Sequence, residues 1–266
     1  MLDSAIRITP VSHDPEGVGL ARRGRRPVAW AGFSDCQQCP IRASALFAHL
    51  TAVDLEAIHY PIDEIRLAAG SVLCNAGERA DYLYTVREGA LKIEHWGQSG
   101  VARVTAMMIA GDLIGLPAYV LGKYDARVVA LTGSRVCRLP IATLRELERR
   151  SPRFMQGMHE KWHSALQASN AWMVDIGLGS VRERLARLLL RFPEDASGMT
   201  HVSSRRELGA LMGEVALETV SRQISAMRRE GIVQFMDSRG RRLALDRAAL
   251  AEIAGFSESP REVVEA

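Results

Sequence analysis

The sequence is short of cysteine, long apolar runs, a dominant charge and any assembled catalytic motif, and each shortage narrows what the chain can be. Four cysteines in 266 residues are too few for a disulfide scaffold, which a reducing compartment would also disfavour. No apolar run reaches the roughly 18 residues that cross a bilayer, and the first thirty residues lack the hydrophobic centre of a signal peptide. The expectation is a soluble, cytoplasmic protein with no membrane partner. The 34 basic and 31 acidic residues leave a net charge of only +3, so composition argues neither for a basic tail nor for strong nonspecific DNA affinity. Any nucleic-acid argument must rest on local arrangement. No close set of nucleophile, base and orienting group, no phosphate-binding glycine loop and no His-Glu metal motif can be read, so an enzyme is not expected.

What is present is a 47% hydrophobic chain, enough for two domains. Residues 1–34 hold proline, glycine and the basic run Arg22, Arg23, Arg25, Arg26 without periodicity, and read as a flexible lead-in. From Ile65 to Pro140 short strand-forming segments alternate with glycine-bearing turns: Asp81–Val86, Ala90–Glu94 and Arg127–Leu131 are examples. That spacing predicts a β-barrel or sandwich of the jelly-roll type. From Ile141 to about Gly177 the period is helical, restarting at Pro152, with Phe154, Met158, Trp162, Leu166, Met173 and Ile176 as an apolar stripe. A long helix with that much apolar surface either pairs with a second subunit or packs wholly on its own barrel.

Val181 to Phe192 reads as a further amphipathic helix, ended by Pro193. Beyond it, Ser204-Arg205-Arg206-Glu207 has the spacing of a capping box, and Leu208, Leu211 and Met212 form an inward face before Gly213. A second helix, Leu217 to Glu230, turns Val220, Ile224 and Met227 inward and presents Glu218, Ser221 and Arg222 together, as a helix entering a major groove would. Arg222 can form paired bonds to guanine, Glu218 can accept from cytosine, and Ser221 can meet a base or phosphate. Arg239-Gly240-Arg241-Arg242 before Leu243-Ala244-Leu245 reads as the basic turn of a wing, its arginines meeting phosphates. Arg228 and Arg229 either join that contact or solvate the helix end. A salt-bridged surface helix is the plain alternative for the second helix, and a structural or protein-interaction dimer that binds palindromic DNA no better than random DNA is the alternative for the chain.

In order, Gly111-Asp112-Leu113-Ile114-Gly115, Arg182-Glu183-Arg184-Leu185-Ala186 and Leu217-Glu218-Thr219-Val220-Ser221-Arg222 resemble the CRP/FNR family of bacterial regulators, from Cys36 to about Gly255. The resemblance implies an α+β chain: an N-terminal cyclic-nucleotide-binding-like β jelly-roll barrel, a long dimerisation helix and a C-terminal winged helix-turn-helix. It divides the chain into a flexible segment (1–34), a sensory barrel with flanking helices (35–150), a dimerisation helix (151–177) and a DNA-binding domain (178–266). It implies a homodimeric transcription regulator of double-stranded DNA. In the FNR branch the residues matching Glu218, Ser221 and Arg222 read a palindrome with TTGAT-like half-sites. Ser204, Arg205, Arg239 and Arg241 complete the expected DNA contact set. The turn between Gly213 and Glu218 is one residue longer than in the best-known members. The loop matching 117–126, with Pro117, Tyr119, Lys123 and Tyr124, stands where related activators touch RNA polymerase.

The sensory input is also framed by the resemblance. Cyclic-nucleotide responders hold phosphate with an Arg-Ser pair; here Asp125-Ala126 stands in its place, and an anion there disfavours cAMP. Arg127 could serve another anion or be a plain strand residue. Oxygen-sensing members hold a [4Fe-4S] cluster on four cysteines: Cys36, Cys39 and Cys137 match three, while Ala45 occupies the remaining place. Cys74 either replaces that ligand, for a cluster or a tetrahedral zinc, or is a buried core thiol. The Cys36–Cys39 pair either binds metal, forms a reversible disulfide or does neither. A clusterless barrel, constitutive or sensing a small molecule, stands beside the redox sensor as a reading. His49 and His59 are available to haem, though a lone histidine is more often a surface group.

Overall fold

The computed structural model describes residues 28–33, 39–51, 62–98 and 100–255. Strands β1 (Val28–Phe33), β2 (Asp63–Leu67), β3 (Val72–Cys74), β4 (Tyr82–Glu88), β5 (Leu91–Trp96), β6 (Ala102–Met108), β7 (Leu113–Ile114), β8 (Arg127–Ala130) and β9 (Ser134–Pro140) form the expected jelly-roll barrel. One sheet runs β1-β2-β9-β4-β7 and the facing sheet β3-β8-β5-β6. Strands distant in sequence thus become neighbours, as Greek-key connections require. The lead-in expectation fails for 28–33. Their backbone pairs antiparallel with β2, from Val28 opposite Leu67 to Phe33 opposite Asp63, because the β2 edge otherwise offers unpaired N–H and C=O groups.

Register decides which residues share a face. Glu64 and Thr85 both lie opposite Cys137, whereas Ile65 and Val86 both lie opposite Val136. With a period of two, the first set faces one side of the sheet and the second the other. The side bearing Val86 and Val136 also carries Tyr84, whose ring stacks with Tyr124 at 6.4 Å.

Helix α1 (Leu116–Leu121) follows β7. Helices α2 (Ile141–Arg150) and α3 (Pro152–Gly177) divide at Ser151, which is extended, with φ −131°. A residue before proline is pushed out of helical geometry, and proline is well suited to begin the next helix. Phe154 and Met158 of α3 enter the barrel core together with Leu46, Phe47 and Leu50 of the 39–51 segment. Lys161 fastens that segment, donating to the carbonyls of Ser44 and, at 2.8 Å, Gly111. Gly111 has φ +94°, and a Cβ there would stand 2.5 Å from Ser44 Oγ, so only glycine fits this junction.

The predicted stripe on α3 is divided by its surroundings. Phe154, Met158 and Ile176 are buried, while Leu166 and Met173 remain 61% and 65% exposed and Trp162 38%. The helix packs on its own chain at both ends and, among the described residues, leaves the apolar side chains of Trp162, Leu166 and Met173 uncovered between them.

Helix α4 (Val181–Arg191) begins at Ser180 with a full capping box to Glu183. After β10 (Thr200–His201) come α5 (Arg205–Leu211), α6 (Leu217–Arg229), β11 (Val233–Phe235), β12 (Arg242–Leu245) and α7 (Arg247–Ala254). β10, β12 and β11 make a small antiparallel sheet. Leu185, Leu188, Leu189, Phe192, Leu208, Val220 and Met227 fill the core beneath, joined by Trp172 and Ile176 from the end of α3.

Replacing Phe154 with alanine removes a side chain buried completely between barrel and helix, and is expected to cost about 3–5 kcal/mol. Val120→Ala, at a 72% exposed position, should stay within about 0.5 kcal/mol. Urea unfolding followed by circular dichroism compares the two; equal midpoints would place Phe154 outside the cooperative core.

Candidate nucleic-acid interface

The candidate reading helix is α6 (Leu217–Arg229). Val220, Ile224 and Met227 turn into the core, leaving Glu218 and Arg222 exposed and Ser221 half-buried on the opposite side. Ser225, also exposed, continues the same face one turn on; it had no separate sequence signal. The turn before α6 is tight. Gly213 and Glu214 take successive left-handed conformations, φ +81° and +66°, and Val215 N–H donates to Gly209 O at 3.0 Å. A Cβ on Gly209 would stand 2.2 Å from Val215 O, so the two helices approach this closely only because residue 209 has no side chain.

The remaining expected contacts separate into two groups. Arg239 and Arg241 stand exposed in the wing turn, which Asp237 shapes by accepting from the backbone N–H of Arg241 (2.8 Å) and Arg242 (3.1 Å). Those bonds, the Arg242 one first, hold the Asp237 carboxyl below the usual carboxylate range. Ser204 caps α5, its Oγ accepting from Glu207 N–H at 3.2 Å. Arg205 is half-buried and lies over the Phe235 ring.

The other half of the expected box departs from the sequence reading: the Glu207 carboxylate pairs with Lys92 of β5. Lys92 also meets Glu94 at 2.6 Å, and Glu94 lies 3.7 Å from Arg127. Burial alone would lower the Lys92 ammonium, but Glu207 and Glu94 outweigh it and hold it above the ordinary lysine range. Ser203 Oγ donates to Leu131 O at 2.8 Å beside this pair. The barrel therefore grips the first helix of the DNA-reading module through a buried charge. Local sequence offered no sign of it, because Lys92 and Glu207 are 115 residues apart.

In the barrel, Cys39 and Cys137 line one small cavity of about 30 Å³ with Arg42, Ala45, Thr85 and Leu139. Cys36 and His59 lie outside the described residues. Cys74 is not part of this group. It lies opposite Val128 on β3, near Tyr84 and Tyr124, and Tyr84 faces the other side of the sheet from Cys137. By register Cys74 therefore keeps company with the Tyr84 side of this sheet, and Cys137 leaves from its other side. Burial first, then Glu78, pushes the Cys74 thiol up to about 12. Among the described residues no three His, Cys, Asp or Glu side chains converge as a metal site.

His49 Nε2 is engaged with Glu160 at 2.6 Å. Asp125 faces His95 at 3.6 Å, while Ala126 is buried. In the 117–126 loop Tyr119 and Tyr124 point inward, bonding Glu148 (2.7 Å) and Tyr82 O (2.8 Å). Val120, Leu121, Gly122, Lys123 and Asp125 are the exposed members.

Fold and interface together define a DNA-binding transcription regulator, a jelly-roll domain carrying a winged helix-turn-helix. Residues 64–151 match the cyclic nucleotide-binding domain and residues 183–253 the Crp-like helix-turn-helix domain. The transcriptional activator protein FnrL of Cereibacter sphaeroides is 27% identical over 231 residues, covering 83% of this chain and 92% of that protein. The fumarate and nitrate reduction regulatory protein of Escherichia coli is 24% identical over 233 residues, covering 84% and 92%. In fold, FixK2 from Bradyrhizobium japonicum superposes with a TM-score of 0.62 at 24% identity, over 72% of this chain and 96% of that one. The chain belongs to the CRP/FNR family. Among the described residues no helix is long and apolar enough to cross a membrane.

The two thiols should differ sharply in reactivity, since the thiolate is the nucleophile. With iodoacetamide at pH 8, half-buried Cys39 is expected to be alkylated at least tenfold faster than Cys74 in the folded protein, read by peptide mass spectrometry. Equal rates would contradict the burial of Cys74.

Proposed function

We propose that the protein acts in the cytoplasm as a homodimer that reads a palindromic DNA site with TTGAT-like half-sites. The observation that carries this is the set of exposed Glu218 and Arg222 with half-buried Ser221, on a helix whose other side packs into the core through Val220, Ile224 and Met227. Glu218 and Arg222 supply base discrimination, and Arg239 and Arg241 of the wing meet the backbone. Trp162, Leu166 and Met173 supply the subunit contact along α3, since an unpaired apolar stripe in mid-helix is costly in water. Val120, Leu121 and Lys123 are the surface available to RNA polymerase.

The input acts on the barrel and changes the packing of α3, which contributes side chains to both cores. The two reading helices then take the spacing of successive major grooves, and DNA reciprocally favours that state. A redox or related signal at Cys39 and Cys137 is the reading favoured by their shared cavity. A four-thiolate cluster that includes Cys74 does not fit, because the sheet divides the donors. A second reading, a small molecule other than cAMP, is favoured by the cleft of about 300 Å³ where Arg103, Trp172, Arg184 and Met212 meet.

Arg222→Ala is expected to lose about 1–3 kcal/mol of discrimination for the palindrome over random duplex while remaining dimeric. Leu166→Glu should instead yield a folded monomer that has lost the palindrome. Fluorescence anisotropy and sedimentation separate the two; unchanged discrimination in Arg222→Ala would remove α6 from the reading role.

A further inference from the structure

Two guanidinium groups share one aromatic ring at the edge of the DNA-reading module. Arg205, which opens α5, lies 5.1 Å from the centroid of Phe235, and Arg228, near the end of α6, lies 4.7 Å from the same centroid. Phe235 ends β11, and the wing turn passes close by: Arg205 Nη2 is 3.2 Å from where a Cβ on Gly240 would stand. First helix, reading helix and wing therefore converge on this ring.

The cluster is unbalanced in charge. Neither guanidinium forms an ion pair with a carboxylate among the described residues. The wing's own acid, Asp237, is bonded to the backbone of its turn. One terminal nitrogen of Arg205, Nη1, is buried and has no hydrogen-bond partner among the described residues. Burial, and then the charge of Arg228, depress the Arg205 guanidinium below the ordinary arginine range.

Cation–π contact explains why the two side chains lie on Phe235 but not why two like charges are kept together. Each such contact is worth about 0.5–1 kcal/mol at an exposed site, and the mutual repulsion works against it. An anion with several oxygens resolves the charge imbalance, because it can accept from the outward-facing nitrogens of both guanidinium groups and offset their repulsion. A planar guanidinium is suited to paired bonds with phosphate oxygens, and fixing it on a ring removes part of the ordering cost of binding.

We infer that Arg205 and Arg228, held across Phe235, form a single preassembled site for a DNA backbone phosphate, and that Arg228 and Phe235 are part of the DNA interface. The inference rests on the DNA-reading function proposed above. It gives Arg228 a defined role in place of a solvated helix end and makes Phe235 a positioning residue that sets the direction of both forks. The contact carries affinity and register without sequence preference, because every base step has the same phosphate.

The test is the salt dependence of binding by the full-length protein, to the palindrome and to a random duplex, over a potassium chloride series. Arg228→Gln should weaken both duplexes by a similar factor and reduce the slope of log affinity against log salt by about 0.9 for each bound protomer. Phe235→Leu retains both charges and should also weaken both duplexes, with its thermal midpoint measured to show that the wing is folded. Arg79→Gln removes one charge from an exposed barrel pair with Asp81 and should leave the slope unchanged. If Arg228→Gln behaves like Arg79→Gln while the wild type still selects the palindrome, the phosphate site is wrong and the DNA-reading function stands. If the wild type binds neither duplex, the underlying function fails first. Inorganic phosphate at constant ionic strength should stabilise the wild type more than Arg228→Gln. Such stabilisation in a protein whose DNA slope ignores Arg228 would assign the site to free phosphate and overturn the DNA role.

Discussion

One 26-residue helix, α3, contributes side chains to two hydrophobic cores, and the rest of the structure is arranged around that fact. At 1.5 Å per residue it spans about 39 Å. Phe154 and Met158 are consumed by the barrel at one end, Trp172 and Ile176 by the DNA-reading module at the other. Trp172 also donates its indole N–H to Val104 O at 3.1 Å, so even the far end is tied back to β6. A close-packed interior transmits displacement rather than absorbing it. A change in barrel packing must therefore shift this helix or strain both cores.

The direct contact between barrel and α5 adds a second constraint of a different kind. Lys92 is buried with two carboxylates, Glu94 from its own strand and Glu207 from the DNA-reading module. Buried charges are stable only while paired, and losing one partner costs far more than the net worth of the pair. The Trp172 junction is held by packing and one indole hydrogen bond, the Lys92 junction by paired charge. Together they allow few positions for α6.

Much of this was legible in the chain because it depends on local chemistry. The strands around Leu83, Ile93 and Val128, the restart at Pro152, the Ser204 cap and the inward face Val220–Ile224–Met227 each follow from residues a few positions apart. The exposed reading residues Glu218 and Arg222 are the complement of that inward face. The pairing of 28–33 with β2 was not legible, since a short segment after a basic run has no period until an edge strand offers it partners. Nor was the fate of Glu207: a capping spacing says where the carboxylate could reach back, not that a lysine 115 residues away competes for it.

The cysteines draw the boundary most clearly. Sequence alone determined that four thiols exist, that two lie three residues apart and that Ala45 interrupts the expected set. Only the tertiary structure decided that Cys137 and Cys39 share a cavity while Cys74 lies across β4 and β9. In the same way the chain specified the arginines of the DNA-reading module, but folding alone put Arg205 and Arg228 on one ring. The physical reason is common to both. Periodicity fixes which side of its own element a side chain leaves from, whereas its neighbour across space depends on strand register and helix packing, set by contacts that no local pattern encodes.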